Sequence, residues 1–394
     1  MRSTASKYLL RTDISRFYDS IYTHSISWAL HTKSIAKTKR RDRSLLGNRI
    51  DEEVRNLQDG QTIGIPIGPD TSRIISEIIV TAIDLELETQ LPYLTGIRHI
   101  DDFYLYFKSI SDLEQGYSKL LGILQDFELE LNPAKVEKIE LPETFERRWL
   151  SEIRDFRFRH KRSEQRNSLV SFFNLAFQNV KDFPDDYVLE YSIAKVSKQP
   201  ILKQNWDVFE ALVLKTMMIE PRVLPFALEI FLRYQKKGFS IDLPKIKETI
   251  LAILLEHGRL NHSFEVSWSL WLCRSLKISL SRQVTELISQ IIDPIVALVA
   301  MDLESCGLTE GVIDKSIWKS IANLEALYNE HWLLVYEANV KGWINSNGDD
   351  VVDSDPFFSE LRRRNVEFYD GNKQIEMVKM FIQSEPVPED EKEE

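Results

Sequence analysis

Apolar and polar residues alternate in two different ways along this chain, and the change comes at about residue 166. Before it, runs with a period of two, typical of strands, are mixed with runs that have the helical period of 3.6. After it, strand-like runs vanish and helical periodicity continues to about residue 342. The pattern therefore predicts an α+β domain followed by an all-α domain.

The first domain shows six elements in the order βαββαβ, with a loop-rich stretch around Gly47 and Gly60. They are a strand over 5–15 that ends at Asp13, a helix over 69–88, strands over 96–100 and 103–107, and a helix that starts with the capping box Ser111–Glu114. The sixth is a strand over 129–136 that contains an Asn-Pro turn. This order is the ferredoxin-like split βαβ arrangement, whose sheet puts the end of the first strand beside the tip of the hairpin. We therefore expect Asp13 to lie near Asp101 and Asp102.

The chain divides into four predicted parts: an α+β domain over 1–150, a basic connector over 151–166, a helical domain over 167–345 and a C-terminal extension over 346–394. Proline and glycine breaks divide the helical domain without a strict repeat, which is typical of stacked helical hairpins of HEAT-like type. The acidic tail over 385–394 is predicted to be disordered.

Charge is unevenly distributed along the 394 residues, whose net charge is −11. Residues 33–49 carry seven basic side chains against one acidic, and residues 147–162 carry seven against two. Either run alone is best explained as a solvated face. Because both flank a carboxylate cluster, the two together favour a track for nucleic acid, since phosphates are neutralised by local lysine and arginine.

Several features favour a cytoplasmic protein with no membrane partner. No run of eighteen apolar residues occurs, and the first residues lack the apolar core of a signal peptide. The two cysteines, Cys273 and Cys306, lie in apolar helical surroundings. We expect reduced core thiols there, with a single disulfide as the alternative.

Asp13, Asp101 and Asp102 are the candidates for chemistry. Clustered carboxylates need a compensating positive charge, which is most often a divalent metal. Two Mg²⁺ ions, with Mn²⁺ as the alternative, are held by few carboxylates and substrate phosphates in phosphoryl-transfer sites. We expect Asp13 and Asp101 to bridge both ions and Asp102 to be a secondary ligand, whereas the Asp-Asp pair by itself would be explained by hairpin-turn chemistry.

Four motifs in this order resemble those of reverse transcriptases, the RNA-directed DNA polymerases. They are Asp13-Ile-Ser-Arg-Phe-Tyr18, Gly64-Ile-Pro66-Ile-Gly68, His99-Ile-Asp101-Asp102 and Leu131-Asn-Pro-Ala-Lys135. The departure is His99, where the family usually has Tyr or Phe. The resemblance implies that residues 1–150 form the polymerase palm and that the partners are deoxynucleoside triphosphates and RNA or DNA, with a second copy of the chain as a further candidate.

The resemblance also assigns roles to single residues. Tyr18 would lie under the sugar of the incoming nucleotide and reject a 2′-hydroxyl, although a plain core tyrosine is the alternative. Lys135 would assist departure of pyrophosphate, unless it is a solvated surface lysine.

The segment from Gln61 to Gly68 would approach the template–nucleotide pair. Gly64 and Gly68 would let the backbone come close, and Gln61 and Pro66 would frame the loop. Ordinary turn glycines are the alternative explanation.

The helical second half narrows the resemblance to prokaryotic abortive-infection and defence-associated reverse transcriptases, which carry a HEAT-like domain after the polymerase core. Some members make DNA without a template, primed from a protein side chain. Only twelve residues precede Asp13, where the family has a fingers region. Either the chain is incomplete at its N-terminus or another segment, such as residues 33–43, substitutes. The rival hypothesis is an inactive relic palm that serves as a scaffold for nucleic acid or protein.

Overall fold

The computed structural model describes residues 5–142, 144, 146–161, 164–344 and 350–373. They fall into two compact units that divide between residues 145 and 146. Arg162 of the second basic run and the acidic tail over 385–394 lie outside the described residues.

A four-stranded antiparallel sheet organises the first unit. Its strands are β1 (Tyr8–Asp13), β2 (Thr95–His99), β3 (Asp102–Phe107) and β4 (Glu137–Glu140), and their order in the sheet is β2-β3-β1-β4. The strand that ends at Asp13 and the hairpin around the aspartate pair are confirmed. The register pairs Asp13 with Asp102 across β1 and β3.

The last strand begins later than predicted. Asn132 accepts a hydrogen bond from the backbone N–H of Ala134, and a 3-10 helix, Pro133–Lys135, follows. The predicted Asn-Pro turn is therefore confirmed, but it precedes the strand instead of lying within it. Of the predicted segment over 129–136, Leu131 alone forms a bridge, to Ile14, and β4 follows the turn.

Six helices complete the first unit: α1 (Phe17–Ser20), α2 (Ser25–His31), α3 (Lys33–Thr38), α4 (Leu46–Asn56), α5 (Asp70–Gln90) and α6 (Ile110–Asp126). The helix predicted over 69–88 is confirmed as α5. The prediction of a loop around Gly47 was wrong, because this glycine lies inside α4. A Cβ there would lie 2.6 Å from Cα of Ser27, so this glycine permits close packing of α4 on α2.

The predicted capping box was also misplaced. The N-cap of α6 is Ser109, whose hydroxyl accepts a hydrogen bond from the backbone N–H of Asp112 and donates one to its carboxylate. Ser111 lies within the helix instead. The cap sits two residues earlier because β3 ends at Phe107 and Ser109 has the extended backbone that a cap needs.

The core of the first unit lies between the sheet and helices α5 and α6. Alternate strand residues Leu10, Phe103 and Leu105 are buried there against helix residues such as Ile83 and Leu120. Burial of each such side chain stabilises the fold by about 1.5 to 3 kcal/mol. This packing holds the sheet in place. The aspartates lie at one end of its central strands, β1 and β3.

The second unit is helical over the described residues, apart from one isolated bridge between Leu280 and Thr309. Its helices are α7 (Arg148–Asp155), α8 (Gln165–Asp182), α9 (Val188–Ser197), α10 (Trp206–Ile219), α11 (Leu224–Lys236), α12 (Leu243–Arg259), α13 (Ser263–Leu276), α14 (Arg282–Ile288), α15 (Pro294–Ser305), α16 (Ser316–Ile321), α17 (Trp332–Val340) and α18 (Pro356–Arg363). Short 3-10 helices occur at Lys203–Asn205, Pro221–Val223 and Glu325–Tyr328. Helix α7 occupies the first part of the segment predicted as a connector.

Both cysteines are free thiols, but they differ in exposure. Cys273 is buried and Cys306 is exposed, so the expectation of two core thiols was wrong for Cys306. It lies at the end of α15, beyond the buried face of that helix. No helix in the described part of the chain is long and apolar enough to span a membrane.

Candidate active site

Strand register brings the three predicted carboxylates to one place. Asp13 ends β1 opposite Asp102, which begins β3. The backbone N–H of Ile14 donates to the carbonyl of Asp101 at 3.3 Å, which ties the hairpin tip to the end of β1. Ile100 adopts a left-handed backbone with φ of 57°, so the chain turns sharply just before the aspartate pair.

Asp13 is the most enclosed of the three, with 6% of its surface exposed. Its Oδ2 accepts a hydrogen bond from Nζ of Lys135 at 2.7 Å. Its Oδ1 is buried, and no donor among the described residues reaches it. A buried carboxylate oxygen without a partner is costly. The arrangement therefore fits a cation bound at Oδ1.

The electrostatics of the cluster also favour a cation. Burial raises the pKa of Asp101, and the charges of Asp102 and Asp13 raise it further, against the opposing effects of a backbone hydrogen bond and of Lys135. The hydrogen bond to Asp13 raises the pKa of Lys135, with the three carboxylates adding to the effect. One ammonium thus faces three carboxylates, and an excess of negative charge remains.

Lys135 reaches the site from the turn that precedes β4. The backbone N–H of Asn132 donates to the carbonyl of Asp13 at 3.0 Å, and that of Lys135 donates to the carbonyl of Asn132 at 3.0 Å. The lysine side chain remains 65% exposed although its end contacts Asp13. The alternative interpretation of Lys135 was a surface lysine in contact with solvent alone. The contact of its ammonium with Asp13 does not agree with that interpretation.

Tyr18 is half-buried and packs on the edge of the core of the first unit. Its ring lies 5.4 Å from that of Phe17, and its hydroxyl accepts a hydrogen bond from Ser76 at 3.5 Å. The carbonyl of Tyr18 accepts the backbone N–H of Ile65 at 2.9 Å. The tyrosine and the glycine-containing loop are therefore joined through the backbone.

That loop, residues 61–68, is anchored at Gly64. The N–H of Gly64 donates to the carbonyl of Ile21 at 2.8 Å, and its φ is 84°. A Cβ at this position would lie 3.1 Å from the carbonyl oxygen of Asp19. A glycine is thus required both by the left-handed backbone and by the close approach to α1.

The other predicted residues of the loop have less defined surroundings. Gln61 is exposed, and its side chain donates to the carbonyl of Ile63 at 2.6 Å, within the loop itself. Pro66 and Gly68 are exposed, and a Cβ on Gly68 would meet no described atom within 4 Å. These three residues lie on an open surface, and their hydrogen bonds do not reach the carboxylates.

Sequence reasoning missed two residues that support the site. Gln58 donates to the carbonyls of Gln61 and Gly64 at 2.8 and 2.9 Å and thereby holds the loop. Arg98 donates to the carbonyl of Ile100 at 2.7 Å and fixes the hairpin tip. A glutamine before a glycine turn carries no distinctive signal in a sequence.

Arg98 is itself held by two carboxylates of α5. It contacts Glu77 at 3.1 Å and Asp84 at 2.9 Å, and only 12% of its side chain is exposed. Burial alone would lower the pKa of Arg98, but the hydrogen bonds to Asp84 and Glu77 raise it. The seven-residue spacing of the two acids on one face of a helix is the single hint in the sequence.

The first basic run lines a cleft of about 780 Å³ between α2, α3 and α4. Lys37, Arg40, Arg41 and Arg43 of the run line it. Two carboxylates line it as well, and Glu52 pairs with Arg43 while Asp51 pairs with Arg55. No carboxylate in the described part of the chain pairs with Arg40 or Arg41. The run therefore keeps free positive charge on one surface.

The second basic run is partly neutralised by its own unit. Arg147 pairs with Asp186, Arg148 with Asp182, and Arg154 with Glu146. Arg157 and Arg159 are exposed and make no ion pair with a described residue. This run supports a nucleic-acid track less well than the first.

Comparison with protein-family models identifies a match for the first part of the chain. Residues 1–165 match the family model of reverse transcriptase (RNA-dependent DNA polymerase). The comparison with curated protein sequences gave no match. The matched residues include every position of the predicted site.

Proposed function

Since residues 1–165 match the family model of reverse transcriptase, we propose that the chain is an RNA-directed DNA polymerase whose catalytic residues are Asp13, Asp101, Asp102 and Lys135. The observation that carries this proposal is the buried Oδ1 of Asp13, which has no partner among the described residues although its carboxyl group belongs to a cluster of three carboxylates and one ammonium. The proposed fold of the domain is the ferredoxin-like palm, supported by the strand order β2-β3-β1-β4 and by the antiparallel pairing.

Asp13 and Asp101 are the proposed ligands of two divalent ions, and Asp102 is a secondary ligand. The carboxylate oxygens are of the type that Mg²⁺ prefers, with Mn²⁺ as the alternative. When bound, the ions would polarise the 3′-hydroxyl and neutralise the triphosphate. The protein's part is to hold the carboxylates on a rigid sheet edge, where the β1–β3 register and the Arg98 contact to the hairpin tip limit their movement.

Lys135 is the proposed acid for the departing pyrophosphate. Its raised pKa keeps the ammonium protonated at neutral pH. Its exposed side chain can leave Oδ2 of Asp13 and contact a phosphate without movement of the backbone. It would then donate a proton or a charged hydrogen bond to the leaving oxygen.

Tyr18 is the proposed selector of deoxynucleotides, and the Gly64 loop is proposed to lie against the base pair that forms. The half-buried ring and the backbone bond to Ile65 hold the tyrosine in place. A fixed ring excludes an added 2′-hydroxyl by steric contact. Gln61, Pro66 and Gly68 would contact the nucleotide or template from the exposed surface of the loop.

The cleft lined by Arg40 and Arg41 is the proposed contact for the phosphates of RNA or DNA. No described carboxylate forms an ion pair with these two arginines, so they are available to phosphate oxygens.

We further propose that the protein acts in antiphage defence, as the abortive-infection reverse transcriptases do. The support is the motif resemblance together with a helical second unit, in which α8 packs on α9 and α12 packs on α13, as stacked helical hairpins do. Untemplated, protein-primed synthesis and self-association belong to the same proposal.

The test is incorporation of labelled deoxynucleotides by the full chain, with an RNA template and primer, and separately with neither. We expect divalent-ion-dependent incorporation in one of the two reactions and its loss in the Asp101→Ala, Asp102→Ala variant. Tyr18→Ala is expected to accept ribonucleotides, whereas Tyr18→Phe should still reject them. Absence of incorporation under both conditions would contradict the proposal.

The scaffold hypothesis makes the opposite prediction in cells. If the chain protects cells against phage, the double alanine variant should lose that protection when polymerisation is the basis of defence. Full protection by a variant without polymerase activity would favour a scaffold.

A further inference from the structure

Three metal-ligating side chains meet in the second unit, where helix α12 ends and helix α13 begins. His257 lies in the last turn of α12, His262 immediately precedes α13, and Glu265 lies in its first turn. One donor atom from each side chain lies within 4.8 Å of the other two. The cluster belongs to neither the carboxylate site nor the basic cleft.

The backbone between the two helices places the histidines side by side. Asn261 adopts a left-handed conformation with φ of 54°, and the N–H of His262 donates to the carbonyl of His257 at 3.1 Å. The turn is supported from below at Gly258, where a Cβ would lie 2.8 Å from the side chain of Leu287. The closed turn and the tight packing fix the backbone positions from which the two imidazole side chains extend.

The separation of the imidazoles fits two ligands of one ion. Nδ1 of His257 lies 3.0 Å from Nδ1 of His262. Two nitrogens bound at about 2.0 to 2.1 Å to one Zn²⁺ are separated by about 2.9 to 3.4 Å for angles between 90° and the tetrahedral value. The carboxylate of Glu265 has three rotatable bonds with which to complete the contact.

The metal-ligating atoms of the cluster are not occupied by other described side chains. No described residue gives Glu265 an ion pair or a hydrogen bond, and the ring nitrogens of both histidines have no described partner beyond each other. His262 is exposed, and the other two residues are half-buried, so an ion can enter from solvent. In the absence of an ion, one neutral imidazole can donate to the other through the same 3.0 Å contact.

We propose that His257, His262 and Glu265 bind one divalent transition-metal ion of the Zn²⁺ class. Two imidazoles and a carboxylate favour such an ion over Mg²⁺, which prefers oxygen ligands alone. The ion would tie the end of α12 to the start of α13, and three protein ligands would leave a position for water. This site is independent of the polymerase proposal.

The test uses the full chain without a histidine tag, stripped by a chelator and kept in excess Mg²⁺ so that the aspartate cluster does not contribute. Co²⁺ is titrated by its visible absorption, and Zn²⁺ is then added as competitor. We expect one Co²⁺ site that Zn²⁺ displaces, with loss of the absorption in the His257→Ala, His262→Ala variant. Glu265→Gln should weaken Zn²⁺ binding about tenfold or more, because the charged ligand is removed.

Two matched variants serve as controls. Glu256→Gln changes an exposed carboxylate of the same helix, and His160→Ala removes an exposed histidine of the same unit. Both should bind as the unchanged protein does. Equal Co²⁺ spectra and Zn²⁺ affinity in the double histidine variant, or in Glu265→Gln if the double variant does not fold, would overturn the proposal.

Discussion

At the scale of single residues, Asp13 and Lys135 form the contact on which the site depends. The ammonium of Lys135 lies on Oδ2 of Asp13, while Oδ1 stays without a described partner. The lysine thus stabilises the carboxylate and at the same time competes with any cation for it. The two effects can be separated by substitution.

Lys135→Ala is therefore expected to act in two directions. Maximal incorporation should fall about a hundredfold, the scale on which a positioned acid acts. The metal concentration for half-maximal activity should also fall, because the competing ammonium is gone. Single-turnover incorporation over a metal titration measures both.

Lys135→Arg is the control that keeps the positive charge. It should retain the metal requirement of the unchanged protein and lose part of the rate, since arginine is a poor proton donor. An unchanged rate in Lys135→Ala would contradict the role of the lysine.

Much of the residue-scale prediction followed from the order of elements. Because a split βαβ sheet sets the first strand beside the hairpin, the neighbourhood of Asp13 and Asp102 could be inferred before any contact was known. Gln58 and Arg98 could not, since their roles depend on which carbonyls the fold places within reach. The roles assigned to the residues of the Gln61–Gly68 loop remain predictions.

At the scale of elements, comparison of two glycines distinguishes the cost of a left-handed backbone from the cost of a steric contact. Gly60 and Gly64 have φ of 80° and 84°. A Cβ on Gly60 would meet no described atom within 4 Å, whereas one on Gly64 would lie 3.1 Å from the carbonyl of Asp19.

Gly60→Ala should therefore cost only the strain of a left-handed alanine, about 1 to 2 kcal/mol of unfolding free energy. Gly64→Ala should cost more, and it should also reduce incorporation because the loop is displaced from α1. Denaturant unfolding and the incorporation assay, run on both variants, measure the difference. Equal losses in the two would show that the contact with Asp19 has no effect.

Element boundaries were the part of the fold that sequence predicted least well. The cap of α6 fell at Ser109 instead of Ser111, and β4 began after Lys135 instead of at Leu129. In both cases a local side-chain hydrogen bond decided the boundary, by Ser109 in one and by Asn132 in the other. Hydrophobic periodicity does not register such bonds.

At the scale of the whole molecule, a net charge of −11 coexists with a surface cleft in which Arg40 and Arg41 have no ion pair with a described residue. The sequence indicated two basic runs, and the structure distinguishes them, because three arginines of the second are paired within their own unit. The distribution of charge, and not its sum, decides where phosphate can bind.

Arg40→Ala combined with Arg41→Ala should weaken nucleic-acid binding and make it less sensitive to salt. The slope of log affinity against log salt concentration should fall by roughly 1 to 2, about one for each phosphate contact removed. Arg147→Ala combined with Arg148→Ala is the matched control and should leave the slope unchanged. Fluorescence anisotropy with labelled single-stranded RNA or DNA over a salt series measures the slopes.

The central claim, that Asp13 helps to hold the divalent ions of nucleotidyl transfer, is tested most directly by Asp13→Asn. The change keeps the shape of the side chain and removes its charge, and Asp59→Asn, on an exposed turn, is the matched control. Incorporation of labelled deoxynucleotides by the full chain is measured over a Mg²⁺ titration, with circular dichroism to verify folding. We predict a loss of about a thousandfold for Asp13→Asn, because several kcal/mol of charge stabilisation disappear, and no change for Asp59→Asn. Incorporation by a folded Asp13→Asn protein at the rate of the unchanged chain would contradict the account.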